Sequence, residues 1–300
     1  MLSLMSAQPA NSLFPALACA LAAILWGLFW YPLRLLEEMG VPGLWASLII
    51  YAVAMLFLFP TFWKKRAEFL HHKLEYVLIG LFAGWTNLAF ILAVLDGEIV
   101  RVLLLFYLSP IWAIFMAVII LRERLTLIGF CSLVLAMAGG ALMLWQPDLD
   151  YSNGIGLADF YAISAGMAFA VTNIIVRKIG NTPFAVKIGV CWIGVLVLTV
   201  CGLLLAQLPV PEFSFKAGLL CFFIGFPLML IMTWAAQYGV TYLPIQRSSV
   251  IFLLEIVAGA VSAAIWTDEI VRNIEYIGGV LIISAGLISI IKQKKQNSTD

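Results

Sequence analysis

Glu255 stands about ten residues into an apolar run that begins near position 245, which puts it about 15 Å from the start of a helix rising 1.5 Å per residue. A carboxylate that deep in hydrocarbon costs about 2.5–3.5 kcal/mol on insertion scales and normally turns to a bundle interior, where it meets a cation or carries a proton. Substrate-cation contact or proton carriage is the chemistry expected of Glu255. A buried structural acid, bonded to a neighbouring helix, is the plainer alternative.

Two arginines recur with two further acids. Arg101 and Glu123 reappear as Arg247 and Glu269, both displaced by 146 positions, and Phe106 reappears as Phe252 on the same shift. Duplication is the simplest explanation, and internal repeats within a membrane are the usual architecture of secondary transporters. Arg101 and Arg247 each begin an apolar run. They are candidate gates that close one end of a pathway by pairing with an acid or with carbonyls; arginines near helix ends also snorkel to headgroups.

Aromatic and amide side chains cluster in the same runs: Trp26, Trp30, Trp85, Asn87, Tyr107, Asn173, Gln237 and Tyr238, with Thr86 and Trp234 beside them. Aromatic faces attract organic cations, and amides hold polar groups without a full charge penalty. Singly, each Trp or Tyr is more often a packing or interface-belt residue. Trp26, Trp85 and Tyr107 are expected to lie deepest. Pro110 and Pro227 fall mid-run, where a missing N–H kinks a helix.

These residues need long apolar elements to position them, and the chain supplies them. Hydrophobic residues make up 64% and charged residues 11%, against roughly 25% charged in soluble domains. Mean hydropathy is +1.07. This is the composition of an integral membrane protein, all-α, and ten segments reach the roughly 20 residues that a bilayer core requires. They fall near 13–33, 42–62, 75–95, 100–121, 127–145, 155–176, 185–206, 217–240, 245–266 and 274–291, and are numbered 1 to 10. The first has no basic stretch before it and is too long for a signal-peptide core, so it is expected to be retained.

Short connections carry Gly40, Pro42, Pro147, Asn153-Gly154, Pro183, Pro209, Pro211 and Pro244, leaving no room for a soluble domain. With the N-terminus in the cytoplasm, 13 Lys and Arg fall on the inner side and 4 on the outer. The positive-inside rule then places both termini in the cytoplasm. The expected organisation is two five-helix repeats, 1–146 and 147–300, the second inverted because five is odd.

Residues carry a resemblance beyond this pattern. Trp26-Gly27, the mid-helix Pro110 with Glu123-Arg124-Leu125-Thr126 beyond it, Leu254-Glu255 with Glu269, and the tandem halves resemble the drug/metabolite transporter superfamily in its ten-helix EamA-type group. The resemblance implies an inner-membrane carrier with a central cavity lined by helices 1, 3, 4, 6, 8 and 9, and with helices 5 and 10 at the periphery. The group's usual Pro after the helix 9 acid is Ile256 here, which sets a matching kink in helix 9 in question. Gly139-Gly140 in helix 5, and Gly278-Gly279 with Gly286 in helix 10, read as small-residue faces for scaffold packing or a homodimer contact.

A secondary-active transporter of small organic metabolites follows as the expectation, most simply one exporting amino acids or related compounds by alternating access and coupled to a proton or substrate gradient. Uptake of a cationic metabolite such as choline or S-adenosylmethionine is the alternative, and a membrane scaffold the non-transport one. No enzyme is expected, because no Ser/His/Asp grouping is present. No cofactor or metal is expected either: there is no GxxxxGK[ST] loop, and the five cysteines read as small buried hydrophobes. His71 and His72 sit among Lys64, Lys65, Arg66 and Lys73 as a solvated basic loop. A net charge of +1 gives no reason to expect nucleic acid as a partner; the expected partners are the bilayer and a small-molecule substrate.

Overall fold

In a hydrocarbon layer a backbone can satisfy its N–H and C=O groups only internally, so each apolar run folds as a helix. The structure, a computed structural model, describes residues 13–146, 155–267 and 271–291. Among the described residues, eight long helices are apolar enough to cross a membrane: α1 (Leu13–Glu38), α2 (Gly43–Leu70), α3 (Lys73–Asp96), α4 (Ile99–Leu121), α6 (Leu157–Ile179), α7 (Phe184–Ala206), α8 (Phe215–Tyr242) and α9 (Ile245–Trp266). Two shorter apolar helices, α5 (Leu127–Met143) and α10 (Asn273–Ile291), complete the ten. Glu269, Pro147, Asn153-Gly154 and the lysines of the tail lie outside the described residues.

Four helices are interrupted, three of them beside prolines. In α1 the regular ladder stops at Phe29, three residues before Pro32, which has no N–H for the Leu28 carbonyl. In α4 it stops at Tyr107 and Leu108, where Pro110 leaves the Phe106 carbonyl without its helical partner. In α8 the backbone widens over Ile224–Leu228, with Phe226 extended ahead of Pro227.

The fourth interruption has no proline. At Leu253 in α9 the ladder tightens, with Leu253 N donating to Val250 O at 3.2 Å and Ile256 N to Leu253 O at 3.1 Å. Leu253 lies 146 positions after Tyr107, so the two breaks occupy equivalent places in the repeat. Ile256 therefore does not keep α9 straight.

Packing between the halves is reciprocal. α1 packs on α8 and α9, while α6 packs on α3 and α4; α2 meets α7, α4 meets α9, and α5 meets α10. Exchanging helix n for helix n + 5 reproduces this pattern, as a pseudo-two-fold relation between two inverted repeats requires. Small residues permit the closest approaches: a β-carbon on Gly194 of α7 would stand 1.8 Å from the Gly80 carbonyl oxygen of α3. Gly139 and Gly278 face each other's carbonyls at 2.6 and 2.5 Å from such a β-carbon. The small-residue faces of α5 and α10 thus meet within one chain.

Outward faces carry apolar side chains such as Leu204, Leu205, Phe215 and Ile265, all strongly exposed, as lipid-facing surfaces do. The interior holds the opposite arrangement, a cavity with polar walls.

Candidate functional site

A cavity of about 250 Å³ lies inside the bundle. Glu255 lines it from just beyond the break in α9, and Tyr107, at the break in α4, stands with its hydroxyl against the Glu255 carboxyl group. Interrupted helices with side chains and loosened backbone at mid-membrane depth are how such folds build binding sites. Trp26 of α1 completes this wall. Gly27 is the reason α1 can approach so closely: a β-carbon there would sit 2.4 Å from the Glu255 carbonyl oxygen.

A second wall is polar but uncharged. Asn87 of α3 lines the cavity and accepts a hydrogen bond from Ser47 Oγ of α2 at 2.7 Å. Tyr51 of α2 adjoins Asn87. Gln237 of α8 donates through Nε2 to the Cys191 Sγ of α7 at 3.5 Å, and Trp192 lies beside it. Asn173 and Thr172 of α6 face the same space. Phe106, Phe169 and Phe252 also line the cavity as a row, with successive ring centroids 6.0 Å apart. Among the described residues, no lysine or arginine lines the cavity.

Of the residues singled out by sequence, Glu255, Trp26, Asn87, Tyr107, Asn173, Gln237 and Pro110 come together at this cavity. Trp30, Trp85, Tyr238 and Pro227 lie outside its lining. Trp30 donates to Ser262 Oγ at 2.9 Å and faces Trp266, holding the end of α1 to α9. Trp85 donates to Ser164 Oγ at 3.2 Å and packs edge-on to Tyr161, on the α3 face that meets α6. Tyr238 belongs to an aromatic group with Trp234, Tyr242 and Phe14, part of which is exposed. Pro227 is exposed and its kink points away from the cavity, Phe226 stacking instead on Phe57 of α2 at 3.9 Å.

Charged clusters cross the bundle at its two ends. Where α4 and α6 begin, Arg101 makes a two-pronged pair with Asp159, Nε to Oδ1 and Nη2 to Oδ2 both at 2.7 Å. Asp159 also accepts from Gly156 N at 2.8 Å and so caps its own helix. Where α6 ends and α9 begins, Glu123 accepts from Arg177 Nε at 3.1 Å and from Ile245 N at 2.9 Å. Arg177 also donates to the Thr241 carbonyl at 2.6 Å. The charged partner of Glu123 is therefore Arg177, contributed by α6. Arg247 is half-buried in the first turn of α9.

The sequence pattern of the EamA-like transporter family matches residues 13–145, which are α1 to α5. Over that stretch, a little under half of its length, the chain is similar to the EamA-like transporter family. An uncharacterized transporter of Archaeoglobus fulgidus is 24% identical over 71% of this chain and 75% of its own length. An uncharacterized transporter of Pseudomonas aeruginosa is 23% identical over 42% of this chain, and the match spans only 44% of that relative's length. A solved crystal structure overlays with a TM-score of 0.75 at 14% identity, covering 93% of this chain and 98% of its own. That likeness establishes the fold alone.

The EamA-type resemblance implied a lining from helices 1, 3, 4, 6, 8 and 9, and two further helices join it. Tyr51 of α2 and Cys191, Trp192 and Val195 of α7 also line the cavity. Sequence reading missed them because a lone Tyr, Trp or Cys in an apolar run looks like core. Asp159 was missed for another reason: its partner is 58 positions away in the other half. The one available signal was an acid in the first turn of an otherwise apolar helix, which ordinary capping also explains.

Proposed function

We propose that this EamA-like protein is a secondary-active carrier that moves small organic solutes through the central cavity by alternating access. The repeats, divided near residue 146, are the two units that rock. The observation that carries this reading is Glu255: one carboxylate, at the break of α9, in an aromatic and amide-lined cavity of about 250 Å³. Drug-sized ligands fill pockets of about 300–1,000 Å³, so the volume suits a smaller metabolite. Glu255 receives the solute's ammonium group or carries the coupled proton, and Trp26 and Tyr107 complete its wall. Arg101 and Arg247 act at opposite ends as gates.

Export of amino acids or related amine-bearing compounds, from a cytoplasmic membrane with both termini inside, is the leading form of this function. The energy comes from a proton or solute gradient. A specific observation favours uptake of a cationic metabolite as the second reading: the lining holds an acid and, among the described residues, no lysine or arginine.

Counterflow in proteoliposomes tests the carrier. Vesicles loaded with an unlabelled amino acid or amine should accumulate its labelled form at a rate above protein-free vesicles. Accumulation with neither class of solute defeats the proposal, and accumulation of amines alone selects the second reading.

A further inference from the structure

The two walls of the cavity differ in a way that constrains the far end of the solute. Glu255 sits on α9, which packs against α1, α4, α5 and α10, whereas Asn87, Cys191 and Trp192 sit on α3 and α7, which pack chiefly against α2, α6 and each other; Gln237 joins them through Cys191 from α8, a helix that also packs on α1. The acid thus stands on a different helix group from Asn87, Cys191 and Trp192, and Phe106, Phe169 and Phe252 line the same cavity.

On the uncharged wall, buried polar atoms are left over. Gln237 is 8% exposed and its Oε1 has no hydrogen-bond partner, although its Nε2 is engaged by Cys191. Trp192 is 1% exposed and its Nε1–H is likewise without a partner. The Asn87 carbonyl is already used by Ser47, so what Asn87 offers the cavity is its amide N–H. Buried donors and acceptors are normally matched, and an unmatched set lining a cavity points to a ligand or water that matches it.

The charge on this side is settled elsewhere. Lys187, one helical turn before Cys191, is fully buried with its Nζ held by the Gly180 carbonyl at 2.9 Å and Thr241 Oγ1 at 2.7 Å. A carboxylate placed against Gln237 would face an acceptor oxygen and be desolvated without a counter-charge, which is costly. An amide, hydroxyl or ring N–H would instead donate to Gln237 Oε1 and accept from the Asn87 and Trp192 N–H groups.

We infer that the cavity selects an organic monocation whose opposite end is a neutral hydrogen-bonding group, the ammonium lying at Glu255 and the neutral end against Gln237, Asn87 and Trp192. The inference rests on the carrier reading above and, of its two forms, selects the cationic one: amine-bearing compounds without a carboxylate, in place of the amino acids themselves. The phenylalanine row accommodates an apolar linker between the two ends.

A matched series separates the two ends: leucinamide, leucine, isoamylamine and 4-methylpentanamide, titrated calorimetrically into the purified full-length protein in detergent at a pH where the amines are protonated. Leucinamide should bind about tenfold or more tightly than leucine, the cost of an unmatched buried charge being at least that. It should also bind more tightly than isoamylamine, which lacks the neutral end, and than 4-methylpentanamide, which lacks the cation. Gln237→Met should bring the leucinamide-to-isoamylamine ratio towards one, and Trp192→Phe, which keeps the ring and deletes only the N–H, should reduce it in the same direction.

In the unmodified protein, leucinamide should slow alkylation of Cys191, read by mass spectrometry of that peptide. Leucine binding as tightly as leucinamide overturns the neutral end while leaving a Glu255-dependent carrier intact. Equal binding of 4-methylpentanamide overturns the cationic end. Binding of none of the four overturns the whole inference, and counterflow then judges the carrier separately.

Discussion

A β-carbon on Gly27 would stand 2.4 Å from the carbonyl oxygen of Glu255 and 2.7 Å from the β-carbon of Ala258. The contact is backbone to backbone, so neither partner can rotate away. α1 and α9 meet here through glycine alone, at the residue on which the proposed chemistry depends.

Gly27→Ala should therefore force α1 from α9 and destabilise the protein by about 1–3 kcal/mol. Gly218 is the control, a helical glycine of α8 with nothing within 4 Å of an added β-carbon. Gly218→Ala should be neutral or stabilise by up to about 1 kcal/mol through the lost freedom of the unfolded chain. Thermal unfolding in detergent checks the opposite signs; equal shifts would show that the α1–α9 contact is looser than described.

The pair of Arg101 with Asp159 has side-chain exposures of 20% and 8%, so either charge alone would be stranded. Asp159→Asn and Arg101→Met should each lower stability, by up to about 3 kcal/mol, and Asp159→Ala should be worse than Asp159→Asn because it also removes the acceptor for Gly156 N. The exchange of Arg101→Asp with Asp159→Arg should recover part of the pair energy. A double-mutant cycle with coupling near zero would reduce the pair to a surface contact.

Glu255→Gln should insert and fold yet lose counterflow or its dependence on pH. The amide keeps the shape and removes both the charge and the exchangeable carboxyl proton. Transport that proceeds at the wild-type rate with the wild-type pH profile would reassign Glu255 to a structural role.

For the gates, single cysteines replacing Arg101 and Arg247, in a background without native cysteines, should respond to substrate in opposite senses. One becomes more reactive to a membrane-impermeant thiol reagent and the other less, because alternating access opens one end as it closes the other. Parallel responses would leave both arginines as anchors.

Sequence reached a long way into this fold. Apolar length alone determines that ten helices form, since a backbone in hydrocarbon must satisfy itself, and a displacement of 146 positions exposes the duplicated halves. A lone acid at residue 255 stands out because charge there is costly enough to need a reason. Tertiary structure decided the rest. Trp30 and Trp85 have the composition of site residues but point at Ser262 and Ser164, and Tyr51 and Trp192 read as core but line the cavity. A helix that is apolar all round carries no periodic signal of which face looks inward; that is settled by which neighbours its glycines allow it to approach. The partners Asp159 and Arg177 likewise come from across the repeat boundary, and only the folded bundle brings such distant charges within bonding distance.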